Sequence, residues 1–147
     1  MMGLIEELHK RFKVRWESIE DKSLKVGLKL PDKNALWHKL LECYKNGFEC
    51  EYCSQQLLIK DSKYPYYRSF SFDHRTSIDL GGNNEIENFA IVCHRCNIIK
   101  GTMTESTFKQ FLGPFLNDPQ LLDKIFKEIW DGRLANKLER EHNRNEG

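Results

Sequence analysis

Apolar residues recur at three- and four-residue intervals in several stretches of the chain. Leu4 or Ile5, Leu8 and Phe12 mark a first amphipathic helix, expected to end near Trp16. Residues 21–32 keep only a weak helical period, and Gly27 and Pro31 mark them as turn or connector. Asp32 is placed to cap a second helix containing Leu36, Leu40 and Leu41, with Asn46-Gly47 as its stop. Leu57 to Lys60 and Tyr67 to Phe72 then read as two strands around the turn-like residues 61–65, which predicts a β-hairpin. Gly81-Gly82-Asn83-Asn84 predicts a flexible turn, followed by a short helix-like stretch that ends near Cys93. A further helix after Cys96 includes Asn97 and Lys100 and stops at Gly101. Beyond it, Glu105 to Leu112 and Asp118 to about Arg140 predict two more helices, separated by Gly113-Pro114. In the last of these, Leu121, Leu122, Ile125, Ile129, Leu134 and Leu138 form a stripe, read as packing on the core in preference to a partner groove.

This pattern is an α+β chain with a central hairpin-and-helix unit over residues 48–101. A helical flank, 1–47, precedes it and a helical extension, 102–147, follows. A length of 147 residues fits one domain, and nine Phe, five Tyr and three Trp supply the apolar bulk to fold it. No apolar run approaches the roughly 20 residues of a membrane span. An odd cysteine count without an N-terminal apolar leader points to a reducing, intracellular, cytoplasmic setting.

Four of the five cysteines form two C-x2-C pairs, Cys50/Cys53 and Cys93/Cys96. Each pair offers two thiolates from one short turn, and together they can close a tetrahedral zinc ion. Four sulfur ligands leave no open position, so such a zinc is structural and any chemistry lies elsewhere. The competing reading, two redox CxxC elements, would want a single dithiol in a βαβ setting. Cys43 falls within the second helix and reads as a buried small hydrophobe.

A net charge of +1 excludes a strongly basic, histone-like protein, but it conceals a local asymmetry. Residues 9–45 carry ten Lys or Arg against five Asp or Glu. That excess suits phosphate contacts, or equally a plain solvated surface.

Asp73 and His74 stand at the end of a predicted strand, and Asn97 stands on the helix after the second cysteine pair. Asp73 offers a hard oxygen and Asn97 a carbonyl oxygen, a donor set suited to magnesium or manganese bound with a phosphodiester. Side chains alternate along a strand, so both Asp73 and His74 reach one cleft only if the strand bends or ends there. Each residue also has a plainer use: Asp73 as a turn cap, His74 as a structural histidine, Asn88 in a turn, Asn97 as a helix cap.

Taken together, Cys50-Glu51-Tyr52-Cys53, Phe72-Asp73-His74-Arg75, Gly81-Gly82, Asn88 and Cys93-His94-Arg95-Cys96-Asn97-Ile98-Ile99-Lys100-Gly101 resemble the HNH nuclease family, over roughly Phe48 to Gly101. The resemblance implies a ββα-metal fold, braced by the four-cysteine zinc site, that hydrolyses DNA. It implies Asp73 and Asn97 as catalytic-metal ligands, His74 as the general base and Asn88 as the residue holding the histidine loop. Product ends with a 5′-phosphate and a 3′-hydroxyl are implied as well. With Asn97 in the final position the chain is an HNN variant, and magnesium or manganese is expected over softer ions. Arg75, Arg95 and Lys100 are expected to neutralise DNA phosphates around this site. Tyr64, Tyr66 and Tyr67 are expected to pack the hairpin face more readily than to stack on bases. A non-catalytic zinc-containing nucleic-acid-binding module is the alternative, and an adaptor acting through the last helix is a third. The flanking helices are also where a homodimer or protein partner would dock.

Overall fold

The computed structural model describes residues 3–63 and 66–146, with side chains through Arg144. Tyr64 and Pro65, part of the expected turn, lie outside the described residues.

The first helix, α1, runs Leu4–Val26, ten residues past the expected end near Trp16. Its buried face continues from Leu8, Phe12 and Trp16 to Ser23, which is 5% exposed. The apolar period lapses at Ser23 because a small polar residue occupies a buried helix position there. Gly27, at φ 72°, ends α1 in a left-handed turn, its N–H reaching back to Leu24 and Ser23 carbonyls. Helix α2, Lys33–Lys45, starts where Asp32 accepts a hydrogen bond from the Ala35 N–H at 3.1 Å. Phe12 packs between Trp37 of α2, 5.4 Å away, and Phe72, 6.0 Å away.

Two strands, β1 (Phe70–His74) and β2 (Phe89–Cys93), pair antiparallel with Phe70 opposite Cys93 and His74 opposite Phe89. The expected hairpin between 57–60 and 67–72 is therefore corrected. Leu58 makes only an isolated parallel bridge to Ser69, and the partner of β1 comes from the stretch expected to be helix-like. Phe89-Ala90-Ile91-Val92-Cys93 is buried at every position, so it lacks the alternation that marks a half-exposed strand.

Helix α3, His94–Lys100, leaves β2 directly, with Cys93 as its N-cap. Helix α4, Glu105–Leu112, begins at Thr104, whose hydroxyl accepts from the Thr107 N–H. Helix α5, Pro119–Glu146, packs on α3 through its first half. Leu122 and Phe126 are fully buried there, and Ile125 and Ile129 pack beside them. Leu121, Leu134 and Leu138 are exposed, so the expected stripe meets the core only in part. One apolar core runs from Leu8 in the first flank through Phe70 and Phe89 to Phe126 in the last, and each fully buried Leu or Phe contributes about 2–3 kcal/mol. No described helix is long and apolar enough to cross a membrane.

Candidate active site and metal centre

The two cysteine pairs converge from opposite directions. Cys50 and Cys53 sit in a tight knuckle closed by the Ser54 N–H on the Cys50 carbonyl and the Cys50 N–H on the Gln55 carbonyl. Cys93 ends β2 and Cys96 lies in the first turn of α3. All four Sγ atoms lie within 4.8 Å of one another, and Cys53 and Cys93 are 3.9 Å apart. Zinc–sulfur bonds of about 2.3 Å place tetrahedral sulfurs about 3.8 Å apart, so the donor set fits zinc. The four thiols are close enough to share their protons, hydrogen bonding among them pushing Cys53 below its ordinary range and Cys93 and Cys96 above it. The Cys96 N–H reaches Cys93 Sγ at 3.3 Å, and Arg95 Nη2 reaches Cys53 Sγ at the same distance. Cys43 stays outside the cluster, partly buried, its thiol 3.9 Å from the Glu49 carbonyl, and burial pushes that thiol up to about 11.

Asp73, His74 and Asn97 line one cleft of about 550 Å³, closed on its other side by α1. Asp73 and His74 both line it although they are neighbours at the end of β1, paired regularly with Ala90 and Phe89 of β2. Asp73 is 5% exposed, and its Oδ2 accepts from the Tyr52 hydroxyl at 2.9 Å and pairs with Lys100 Nζ at 3.1 Å. Burial raises the Asp73 pKa, with the Lys100 charge and the Tyr52 hydrogen bond working against that rise. Asn97 donates through Nδ2 to Ser71 Oγ at 2.9 Å, which turns its Oδ1 the other way. Among the described residues no hydrogen bond is made to Asp73 Oδ1 or Asn97 Oδ1. A carboxylate oxygen and an amide oxygen that make no protein hydrogen bond are hard donors, the kind that suits magnesium or manganese.

His74 is held by residues the sequence did not single out. Its Nε2 lies 2.8 Å from Asn84 Oδ1, and its ring packs on Phe89 at 4.7 Å. Asn84 Nδ2 donates to the Lys29 carbonyl at 2.9 Å and to Ser23 Oγ at 2.8 Å. A carbonyl only accepts, so the other Asn84 atom is its oxygen and His74 must carry its proton on Nε2. The lone pair of neutral His74 is thereby left on Nδ1. Asn84 falls in the glycine-rich stretch read as a flexible turn; its Asn-Asn sequence after two glycines was the available signal.

Asn88 does not line the cleft. It exchanges hydrogen bonds with the Thr76 backbone, N–H to Oδ1 at 2.9 Å and Nδ2 to O at 3.0 Å, and donates to the Asn83 carbonyl at 2.8 Å. It staples the base of the loop from 75 to 88. A side chain at Gly82 would collide with the Thr76 carbonyl, so only glycine fits that crossing.

The three cations expected to meet phosphates each have partners within the protein. Arg75 bridges Glu51 at 2.6 Å and Glu105 at 3.1 Å. Arg95, 2% exposed, bonds Asp123 at 2.6 Å and Gln55 at 3.1 Å as well as Cys53. Lys100, 1% exposed, also donates to the His74 carbonyl at 3.0 Å. Burial of Arg95 and Lys100 this deep requires such partners, and none of the three cations lines the cleft. His94 does line it, edge-on to Phe126 and Trp130; burial, then Arg15 and Arg133, lower its pKa to about 4. Tyr67 packs on Phe126, while Tyr66 is exposed.

No curated protein and no solved structure matches this chain. Residues 50–102 match the family model described as HNH endonuclease, a span that begins at the first zinc-type cysteine and ends just after Gly101. The four-cysteine cluster, the two-stranded sheet and α3 all lie inside that matched span, and the cluster fits the zinc-containing variant of that family.

Proposed function

We propose that the protein is a metal-dependent endonuclease that hydrolyses phosphodiester bonds of DNA. The observation that carries this reading is the meeting of Asp73, His74 and Asn97 in one cleft, with the His74 proton held at Nε2. His74 Nδ1 takes a proton from water, and the hydroxide attacks phosphorus as the P–O3′ bond breaks; the departing O3′ takes a proton from solvent, leaving 5′-phosphate and 3′-hydroxyl ends. Phe89 and Asn84 hold the imidazole from face and edge, so little reorganisation is needed at the moment of transfer. Lys100 and Tyr52 occupy one carboxylate oxygen of Asp73 and direct the other to the cleft. Asp73 and Asn97 would hold a divalent ion, which would supply positive charge for the phosphate and leaving oxygens. Zinc at the four cysteines is architectural, holding the Cys50 knuckle against β2 and α3.

Conversion of supercoiled plasmid tests this, with magnesium, with manganese and with no added divalent ion. Cleavage by the parent and loss of it in His74→Ala and Asn97→Ala, with zinc content and circular dichroism retained, is the expected result. Equal cleavage by parent and His74→Ala removes His74 from the mechanism.

A further inference from the structure

With Arg75, Arg95 and Lys100 engaged internally, the positive charge that faces the cleft comes from outside the HNH domain. Helix α1 forms one wall and presents Arg15, Lys22 and Lys25 to the cavity that holds Asp73, His74 and Asn97. Steps of seven and three residues keep these cations near one side of the helix. The five acidic residues of α1, Glu6, Glu7, Glu17, Glu20 and Asp21, all lie off that wall. Glu20 accepts from Trp16, and Asp21 pairs with Lys25 at the solvent edge. Asp73 and Asp79 are the only carboxylates among the described lining residues.

Arg15 carries the argument furthest. It is partly buried, and burial and the neighbouring Arg11 both act against its charge. Neither Arg15 nor Lys22 has a hydrogen bond or ion pair among the described residues. A partly desolvated guanidinium without a counter-charge is unfavourable alone and is relieved by an anion. Along α1, Arg15 and Lys22 are separated by roughly 10 Å, about three base-pair rises along a duplex axis. The polyanion that fits is thus a nucleic-acid backbone laid along α1 and across the cleft.

We propose that α1 is the phosphate-binding wall of this cleft, Arg15 and Lys22 neutralising duplex-DNA phosphates that flank the bond opposite His74. The identity of the polyanion rests on the nuclease reading; the position of the wall rests on the geometry. Arg15 supplies a planar fork and Lys22 a point charge, contacts that position a backbone without reading bases. The bond from Asn84 to Ser23 of the same helix sets this wall in register with His74.

The test is fluorescence anisotropy with a labelled duplex oligonucleotide across a salt series, on the intact chain without added divalent metal. Arg15→Gln/Lys22→Gln is compared with Lys137→Gln/Arg140→Gln, a matched charge change on the exposed end of α5. The first pair is expected to weaken binding about tenfold or more and to lower the salt slope by about 2. The control pair is expected to leave both unchanged. Lys22→Glu, at an exposed position that tolerates any polar residue, is expected to weaken binding even if Arg15→Gln perturbs folding. Unchanged affinity and slope in both Lys22→Glu and the double variant overturn the proposal, as does an equal loss in the control pair. Failure of the parent to bind duplex overturns it too. Plasmid cleavage judges the nuclease reading separately: a parent that cleaves while its α1 variants bind normally sinks this inference alone. A parent that binds through α1 without cleaving sinks only the catalytic reading.

Discussion

Asn84 Oδ1 lies 2.8 Å from His74 Nε2, while the amide nitrogen of the same residue is held by Ser23 and the Lys29 carbonyl. The orientation of the cleft histidine is therefore decided by a helix well before the HNH domain in the chain.

Asn84→Ala is expected to lower the cleavage turnover about 10- to 100-fold with little change in KM for DNA. Asn84→Asp keeps an acceptor for Nε2–H but loses the donor to the Lys29 carbonyl, so it is expected to recover only part of that loss. Nitrogen-15 NMR is expected to show a single His74 tautomer in the parent and a mixture in Asn84→Ala. One tautomer in both proteins would refute the tether.

Lys100 and Asp73 are both buried, so removing one leaves the other uncompensated. Lys100→Met is expected to cost about 3–5 kcal/mol in denaturant unfolding. Lys100→Met combined with Asp73→Asn is expected to lose clearly less than the two single changes added together, a non-additivity that a double-mutant cycle measures. Additive losses would mean the pair does not act as a unit.

Zinc removal and thiol chemistry are linked. With metal bound, iodoacetamide is expected to reach only Cys43. Its thiol at about 11 against an ordinary 9.0 lowers the thiolate fraction at pH 8 about a hundredfold, so the reaction is slow. After chelation, the other four cysteines are expected to alkylate quickly and the unfolding transition to collapse. Peptide mapping by mass spectrometry distinguishes the two patterns.

Glu105 gives a pH dependence of definite sign. Burial opposes its ionisation, but Lys109 and Arg75 outweigh that and hold its pKa below the usual glutamate value. A lowered folded pKa contributes stability above the unfolded pKa and loses it as pH falls through the folded one. Glu105→Gln is expected to cost about 0.5–1 kcal/mol at pH 7, the difference from the parent fading as pH falls past the ordinary glutamate value and vanishing only below the lower folded one. A difference that persists at acid pH would assign the effect to packing.

What the sequence disclosed followed the reach of each interaction. Cys50/Cys53, Cys93/Cys96, Asp73-His74 and Asn97 were legible because short, fixed spacings carry their chemistry. The end of α1 was not, because Ser23 breaks the apolar period to serve Asn84, 61 residues away. Strand β2 was missed because burial on both faces erases alternation. Arg95 read as a surface cation because its partner Asp123 lies 28 residues further on, in another helix. Local pattern reports which groups are present; only the folded contacts report which of them are already satisfied.

The Arg95 side chain joins Cys53 of the knuckle to Asp123 of α5. In order of synthesis the first cysteine pair comes first, the second pair follows, and Asp123 comes last. A zinc-closed cluster would place Arg95 before its carboxylate partner is made, so that the last helix would dock onto a charge already in position. Slow amide exchange in α5 is then expected only in the zinc-loaded protein.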